Sequence, residues 1–126
     1  MDLRRTWTLD PDRFPLHKMQ ELVTYLHDHN QSYIVMVDPP VSLDDSQSYD
    51  RGLQDDVYIK HDNGSVFVGA MWPGATSFVD WLAPNAQSYW SGQVNSFFDE
   101  QTGVNVDGLW IDMNDARIGY INSRIT

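Results

Sequence analysis

The stretch Asp107-Gly108-Leu109-Trp110-Ile111-Asp112-Met113-Asn114-Asp115 decides how the rest of the chain is read. Leu109, Trp110 and Ile111 form a short apolar run that opens after a glycine and closes on a carboxylate and an amide. A buried parallel strand has this form when its C-terminal end opens into a polar site. Asp112 is then held at the end of a rigid element and presented to a space between loops, where a carboxylate can act on a bound molecule. It is the catalytic candidate. The plain alternative is a residue that caps the next turn, a common place for Asp.

A second run has the same design. Tyr33-Ile34-Val35-Met36-Val37 is continuously apolar, and it stops at Asp38-Pro39-Pro40. It too reads as a buried strand ending in a carboxylate. Before it, Leu16, Met19, Leu22, Val23 and Leu26 recur at helical spacing behind Phe14-Pro15, so an amphipathic helix is expected from about Leu16 to His29. Ala86, Tyr89, Trp90, Val94, Phe97 and Phe98 repeat that spacing after Pro84, and a second helix is expected there. Two strands joined through a helix make a βαβ unit, with parallel strands and a right-handed crossover.

Between Pro39 and Pro84 no long helical period appears, which is a long connection for a compact domain and implies a loop with a task. Within it, Val57 to Lys60 and Val66 to Val68 flank His61-Asp62-Asn63-Gly64, a hairpin signal. Trp72-Pro73-Gly74, Phe78 and Trp81 add aromatics beside carboxylates, a combination suited to sugars.

Composition narrows the functional classes. A net charge of -10 gives none of the basic footprint that nucleic acid or an anionic membrane surface requires. The absence of cysteine removes disulfides, thiolate nucleophiles and Cys-type zinc sites. His27 and His29, two apart on a helix, face different sides, and His17 and His61 have no patterned partner, so no metal site is expected. Asp44-Asp45 and Asp55-Asp56 lack calcium-loop spacing and read as solvated loop charge. The segment Met1 to Arg5 has no apolar core of a signal peptide, while Asn30-Gln31-Ser32 and Asn63-Gly64-Ser65 fit the N-glycosylation pattern.

Several blocks together carry a resemblance. Trp110-Ile111-Asp112-Met113-Asn114 resembles the signature of glycoside hydrolase family 31, the retaining α-glucosidase and α-xylosidase group. Asp2-Leu3-Arg4-Arg5 with Thr8-Leu9-Asp10-Pro11, Val37-Asp38-Pro39, Asp56-Val57-Tyr58-Ile59-Lys60 and Trp72-Pro73-Gly74 resemble further blocks of that family, in its order and at similar spacing. The resemblance implies an α/β fold, a partial (β/α)₈ TIM barrel, since a whole barrel takes roughly 250 residues and this chain has 126. It implies Asp112 as nucleophile, Asp38 as a carboxylate lining the sugar subsite, Trp72 and Trp110 as its aromatic walls, and Met113 as the residue beside the nucleophile. Trp110 as core, Asp38 as a turn residue and Met113 as filler are the structural alternatives.

A retaining glycosidase needs a second carboxyl group about 5 Å from the first. The resemblance places that acid/base beyond this sequence, and Asp115, where the family usually has Glu, is too short to promote to it. The match covers residues 1–116, and the tail 117–126 fits nothing in the family. A partial gene model with a tail read from an intron is therefore expected, inactive alone and exposing sheet edges meant for barrel neighbours. The expected partner is an oligosaccharide or glucoside substrate, with no cofactor, nucleic acid or membrane. By resemblance the full protein is secreted and hydrolyses terminal α-glucosyl residues, and some relatives also take β-glucosides. The alternatives are a non-catalytic remnant that binds sugar weakly and an acidic interaction domain with no sugar site.

Overall fold

The computed structural model describes residues 1–113, so the readings placed on Asn114, Asp115 and the tail 117–126 lie outside the described residues. A short 3-10 turn at Asp2–Arg4 leads to α1 (Leu16–Asp28), then β1 (Ile34–Val37), β2 (Val41–Ser42), α2 (Ser46–Gln54), β3 (Val68–Met71), β4 (Gly74–Ser77), α3 (Ala86–Phe97) and β5 (Gly108–Ile111).

Helix α1 forms where its apolar stripe lies. The Pro15 carbonyl accepts the Lys18 N–H at 2.9 Å and the Met19 N–H at 3.2 Å, which starts the first turn. Met19 and Val23 are buried against Val104, with Leu9, Leu16, Tyr33 and Val106 packed around them. The helix ends as Asn30 turns left-handed, φ 55°. The Gln31 N–H then reaches back to the Leu26 carbonyl at 2.9 Å, taking up one of the carbonyls a helix end leaves free.

Strands β1 and β5 pair in parallel, from Ile34 opposite Gly108 to Val37 opposite Ile111, as the βαβ reading requires. Gly108 suits its place because a Cβ there would come within 2.9 Å of the Ile34 side chain. Asp107 fastens the strand start: its carboxylate accepts the Tyr33 N–H at 2.7 Å and lies 2.9 Å from His27 Nε2. Its N–H donates to the Tyr33 carbonyl at 3.0 Å.

The connection between these strands departs from the sequence reading in two ways. It holds a three-stranded antiparallel sheet in the order β2-β4-β3, with a second and longer hairpin, β3-β4, that reverses over Trp72-Pro73. The hairpin expected at Asn63-Gly64 also forms, in short form: the Gly64 N–H is on the His61 carbonyl at 2.8 Å, the Phe67 N–H is on the Ile59 carbonyl at 2.7 Å, and Lys60 bridges Val66. The Val57 to Lys60 segment uses its other edge elsewhere. Ile59 N–H binds the Phe78 carbonyl at 2.9 Å, and the Asp80 N–H binds that of Val57 at 2.8 Å.

The connection also contains the helix α2. Its sequence, Ser-Gln-Ser-Tyr-Asp-Arg-Gly-Leu-Gln, buries Ser48 and Gly52 and so shows no apolar stripe to read. Small residues are what the packing demands, because a Cβ at Gly52 would overlap the Tyr58 hydroxyl. Tyr58 stacks on Tyr49 at 5.3 Å, and the Tyr58 and Tyr89 hydroxyls both donate to the Ser48 carbonyl, at 3.3 and 3.0 Å. Burial pushes both phenols above their usual pKa, Tyr58 most of all, so they remain donors. Asp45, expected as solvated loop charge, is buried and caps α2 through the Ser48 N–H at 3.3 Å. Asp55 pairs with Arg51, and Asp56, exposed as expected, pairs with Lys60.

Helix α3 runs close to its expected span and buries Ala86 and Tyr89. Trp90 on it meets the edges of Trp7 and Trp81 at 5.0 and 5.1 Å. The chain then turns at Gly103, where a Cβ would overlap the Phe97 carbonyl.

The two central strands are not buried on both faces as their continuous apolar runs implied. Val35 and Val37 turn toward α1 and the Trp7 segment, with Met19, Phe97 and Val104 around them. Ile34, Met36 and Trp110 are 54%, 52% and 61% exposed. Hydropathy records that a strand can be covered on both sides, and among the described residues only one side is.

This face should make the 126-residue chain associate with itself. We expect sedimentation coefficients that rise with concentration, and a Met36→Glu variant that stays monomeric with an unchanged far-UV spectrum; concentration-independent sedimentation of the parent would refute this. In the Met36→Glu background, Gly103→Ala should lower stability by about 1–3 kcal/mol through overpacking, read as a lower urea midpoint.

Candidate active site

The site is built from two strand ends. Asp38 follows β1 and Asp112 follows β5, and because Val37 and Ile111 are register partners the two carboxylates emerge side by side. The Asp112 N–H still reaches the Val37 carbonyl, at 3.4 Å, as a weak last rung. Side chains alternate along a strand, so Asp38 continues the face of Ile34 and Met36, and Asp112 continues that of Trp110. One surface therefore carries both carboxylates, with Met36 and Trp110 below them.

Their electrostatics are unequal. Burial, and next the negative charge of Asp112, raise the Asp38 carboxyl above its ordinary pKa, while the Trp72 indole N–H pulls it back. Asp38 Oδ1 is buried, with no hydrogen-bond partner among the described residues. Like charges brought together and poorly solvated disfavour ionisation of one of them.

The backbone under Asp38 is fixed by a residue that sequence reading passed over. Thr6 is buried, and its hydroxyl lies 2.9 Å from the Asp38 carbonyl and 3.4 Å from that of Pro40. Arg5 beside it pairs with Asp2 and reaches the Asp44 carbonyl at 3.4 Å. Thr6 lies between two blocks noted in the sequence, yet a single Thr in a non-periodic arm gives no pattern to find.

The other expected residues gather here in part. Trp72 sits at the β3-β4 turn, 59% exposed. It borders Asp38 on one side and, on the other, a cleft of about 360 Å³ lined by Leu3, Arg4, Arg5, Ser42 and Asp44. Trp110 is exposed among the described residues, on the same face as the two carboxylates. Met113 is left-handed, φ 55°, and its N–H donates to Asp112 Oδ1 at 2.7 Å, so it orients the carboxylate through its backbone. Cavities of about 510 and 250 Å³ lie between α2 and α3 and beneath Trp7, and include neither carboxylate. Among the described residues no three His, Asp or Glu side chains are grouped to hold a metal ion.

Such an arrangement can present one ionised carboxylate as a nucleophile, offer a second as a hydroxyl acceptor, and stack a ring against exposed indoles. Comparisons with known proteins identify the family. A family model described as "Glycosyl hydrolases family 31 TIM-barrel domain" matches residues 1–124. The chain is 59% identical over 116 residues to "Probable alpha/beta-glucosidase agdC" of Aspergillus flavus, covering 92% of this chain and 13% of that protein. It is 44% identical to "Alpha-glucosidase" of Mucor javanicus, over 91% of this chain and 13% of that one. Among solved structures, a family 31 alpha-glucosidase from Bacteroides thetaiotaomicron superposes with a TM-score of 0.75 at 32% identity, covering 94% of this chain and 19% of that one. The chain thus spans under a fifth of the length of these proteins, and it belongs to glycosyl hydrolase family 31, as a piece of the family's TIM-barrel domain.

Proposed function

We propose that the protein of which this chain is part is a retaining glycosidase that removes terminal α-glucosyl residues from oligosaccharides or glucosides, with Asp112 as nucleophile. The observation that carries this is the pair of carboxylates at adjacent strand ends, one of them with a buried oxygen lacking a donor. In the reaction an Asp112 oxygen attacks the anomeric carbon and the bond to the leaving oxygen breaks. That oxygen takes a proton from a second carboxyl group, and water then hydrolyses the glycosyl ester as that same group accepts its proton.

Asp38 has the raised pKa of a general acid, yet its position argues for another role. Attack and protonation flank the scissile bond, whereas Asp38 and Asp112 leave neighbouring strands on the same face and meet a sugar from the same side. Asp38 is better placed to accept sugar hydroxyls, with Trp72 and Trp110 as walls. The acid/base then comes from elsewhere in the barrel, and the 126-residue chain by itself binds sugar weakly and turns nothing over. The alpha/beta-glucosidase name of the relatives supports glucosides of either anomeric form as substrates of the whole protein.

The full-length protein should hydrolyse an aryl α-glucoside, and Asp112→Asn should lower kcat by roughly 10³-fold or more, the scale of removing a nucleophile. A mechanism-based glucoside probe should label Asp112 in the parent; label on another residue would overturn the assignment. A second test reads the coupling. Since the folded pKa of Asp38 lies above the unfolded value, the native state holds that proton more tightly, and this group weakens the fold as pH rises through the interval. In Asp112→Asn, carbon-13 carboxyl titration should find Asp38 shifted downward, still above its ordinary value because burial remains. An unmoved titration would show that the two carboxylates do not interact.

A further inference from the structure

The turn at His61 to Ser65 has no part in the site, and its sequence and geometry point to a modification. Asn63-Gly64-Ser65 is an acceptor tripeptide for N-linked sugars, in which the hydroxyl residue stands two positions after the asparagine. All five residues of the turn are exposed. Gly64 is left-handed, φ 84°, and nothing approaches within 4 Å of where its Cβ would be. The space around the tip is open.

Within the turn the asparagine and serine already interact. Asn63 Oδ1 accepts the Ser65 N–H at 3.0 Å and the Ser65 hydroxyl at 2.7 Å. The loop is closed by His61 and Ser65 themselves, His61 N–H to the Ser65 carbonyl at 2.8 Å. These hydrogen bonds all lie within five consecutive residues, so the turn can form before the rest of the chain is complete. The other tripeptide, Asn30-Gln31-Ser32, differs. Asn30 is fixed at the end of α1 by its N–H on the His27 carbonyl at 3.0 Å, and among the described residues its carboxamide receives nothing from Ser32. Its geometry depends on a finished helix.

We propose that Asn63 is an N-glycosylation site, and the preferred one of the two. The donor class is an oligosaccharide on a polyprenyl diphosphate. Asn63 Nδ2 attacks C1 of the reducing-end sugar, the C1–O bond to diphosphate breaks, the polyprenyl diphosphate leaves with the electron pair, and Nδ2 gives its proton to a base of the transferase. Hydrogen bonds to Oδ1 favour this by stabilising the charge that builds on the amide oxygen as Nδ2 loses its proton. The step occurs in the lumen of the secretory pathway, so the proposal also places the protein there, independently of the glycosidase reading.

The test expresses the 126-residue chain behind a cleavable secretory leader in a yeast host. The secreted and cell-retained pools are both digested with an endoglycosidase that leaves one N-acetylglucosamine, and peptides are mapped by mass spectrometry. Loss of the leader confirms entry to the lumen. The expected result is a sugar remnant on Asn63 at an occupancy several-fold above Asn30, abolished in Ser65→Ala and kept in Ser65→Thr. Leader-processed chain in which Asn63 is unmodified, or is converted to aspartate without a remnant, would overturn the proposal, as would higher occupancy at Asn30.

Discussion

The parallel pairing of β1 with β5 is the constraint on which the rest depends, and Asp107 secures it. One carboxylate holds the Tyr33 N–H and the His27 ring, 74 and 80 residues away in sequence. Those contacts, the Tyr33 N–H first, hold the Asp107 carboxyl below the usual carboxylate range. They fix the register at the start of both strands, and register is what aligns the strand ends. A slip of one residue would turn Asp112 to the helix-covered side and separate it from Asp38. The clamp at one end of the sheet thus sets the chemistry at the other.

The two faces of that small sheet do different work. On one side Met19, Val23 and Val104 form a core with Leu9 and Tyr33. The N-terminal arm runs over the same side and, through Thr6, ties down the backbone after β1. On the other side the apolar residues Ile34, Met36 and Trp110 stand uncovered. In the closed barrel of the family this side faces the interior, where side chains stack in layers beneath the strand ends. The long connection supplies what the strands lack at the top: the β3-β4 hairpin carries Trp72 to Asp38, and α2 and α3, locked through Tyr58 and Tyr89, hold the base of that connection.

What could be read in advance follows from what sequence patterns encode. The stripe of Leu16, Met19 and Val23 and that of Ala86 and Tyr89 marked helices because burial of one face leaves a period. The runs before Asp38 and Asp112 marked strands that open into a polar site. Helix α2 stayed hidden because its packing face is Ser48 and Gly52, chosen for the space Tyr58 needs rather than for hydropathy. The hairpin at Asn63-Gly64 is legible because turn chemistry is local, while the β3-β4 pairing and the bridge of Tyr58 to Val79 depend on which edge finds a partner. Asp45 as a cap and Thr6 as a backbone anchor are single residues whose roles exist only once distant segments meet.

The asymmetry between Asp38 and Asp112 bears on how such a site handles a neutral substrate. A buried oxygen with no donor costs on the order of 1–3 kcal/mol, and native proteins keep few of them. Asp38 Oδ1 is one, and the neighbouring charge of Asp112 adds to its discomfort. A molecule that brings hydroxyl groups to this face supplies the missing donors. Binding energy from a donor that reaches Asp38 Oδ1 then goes into relieving that oxygen, and a molecule lacking the donor would forfeit it. That makes the pairing of strand ends a source of selectivity, since a polar group left unpaired in the complex is what rejects the wrong ligand.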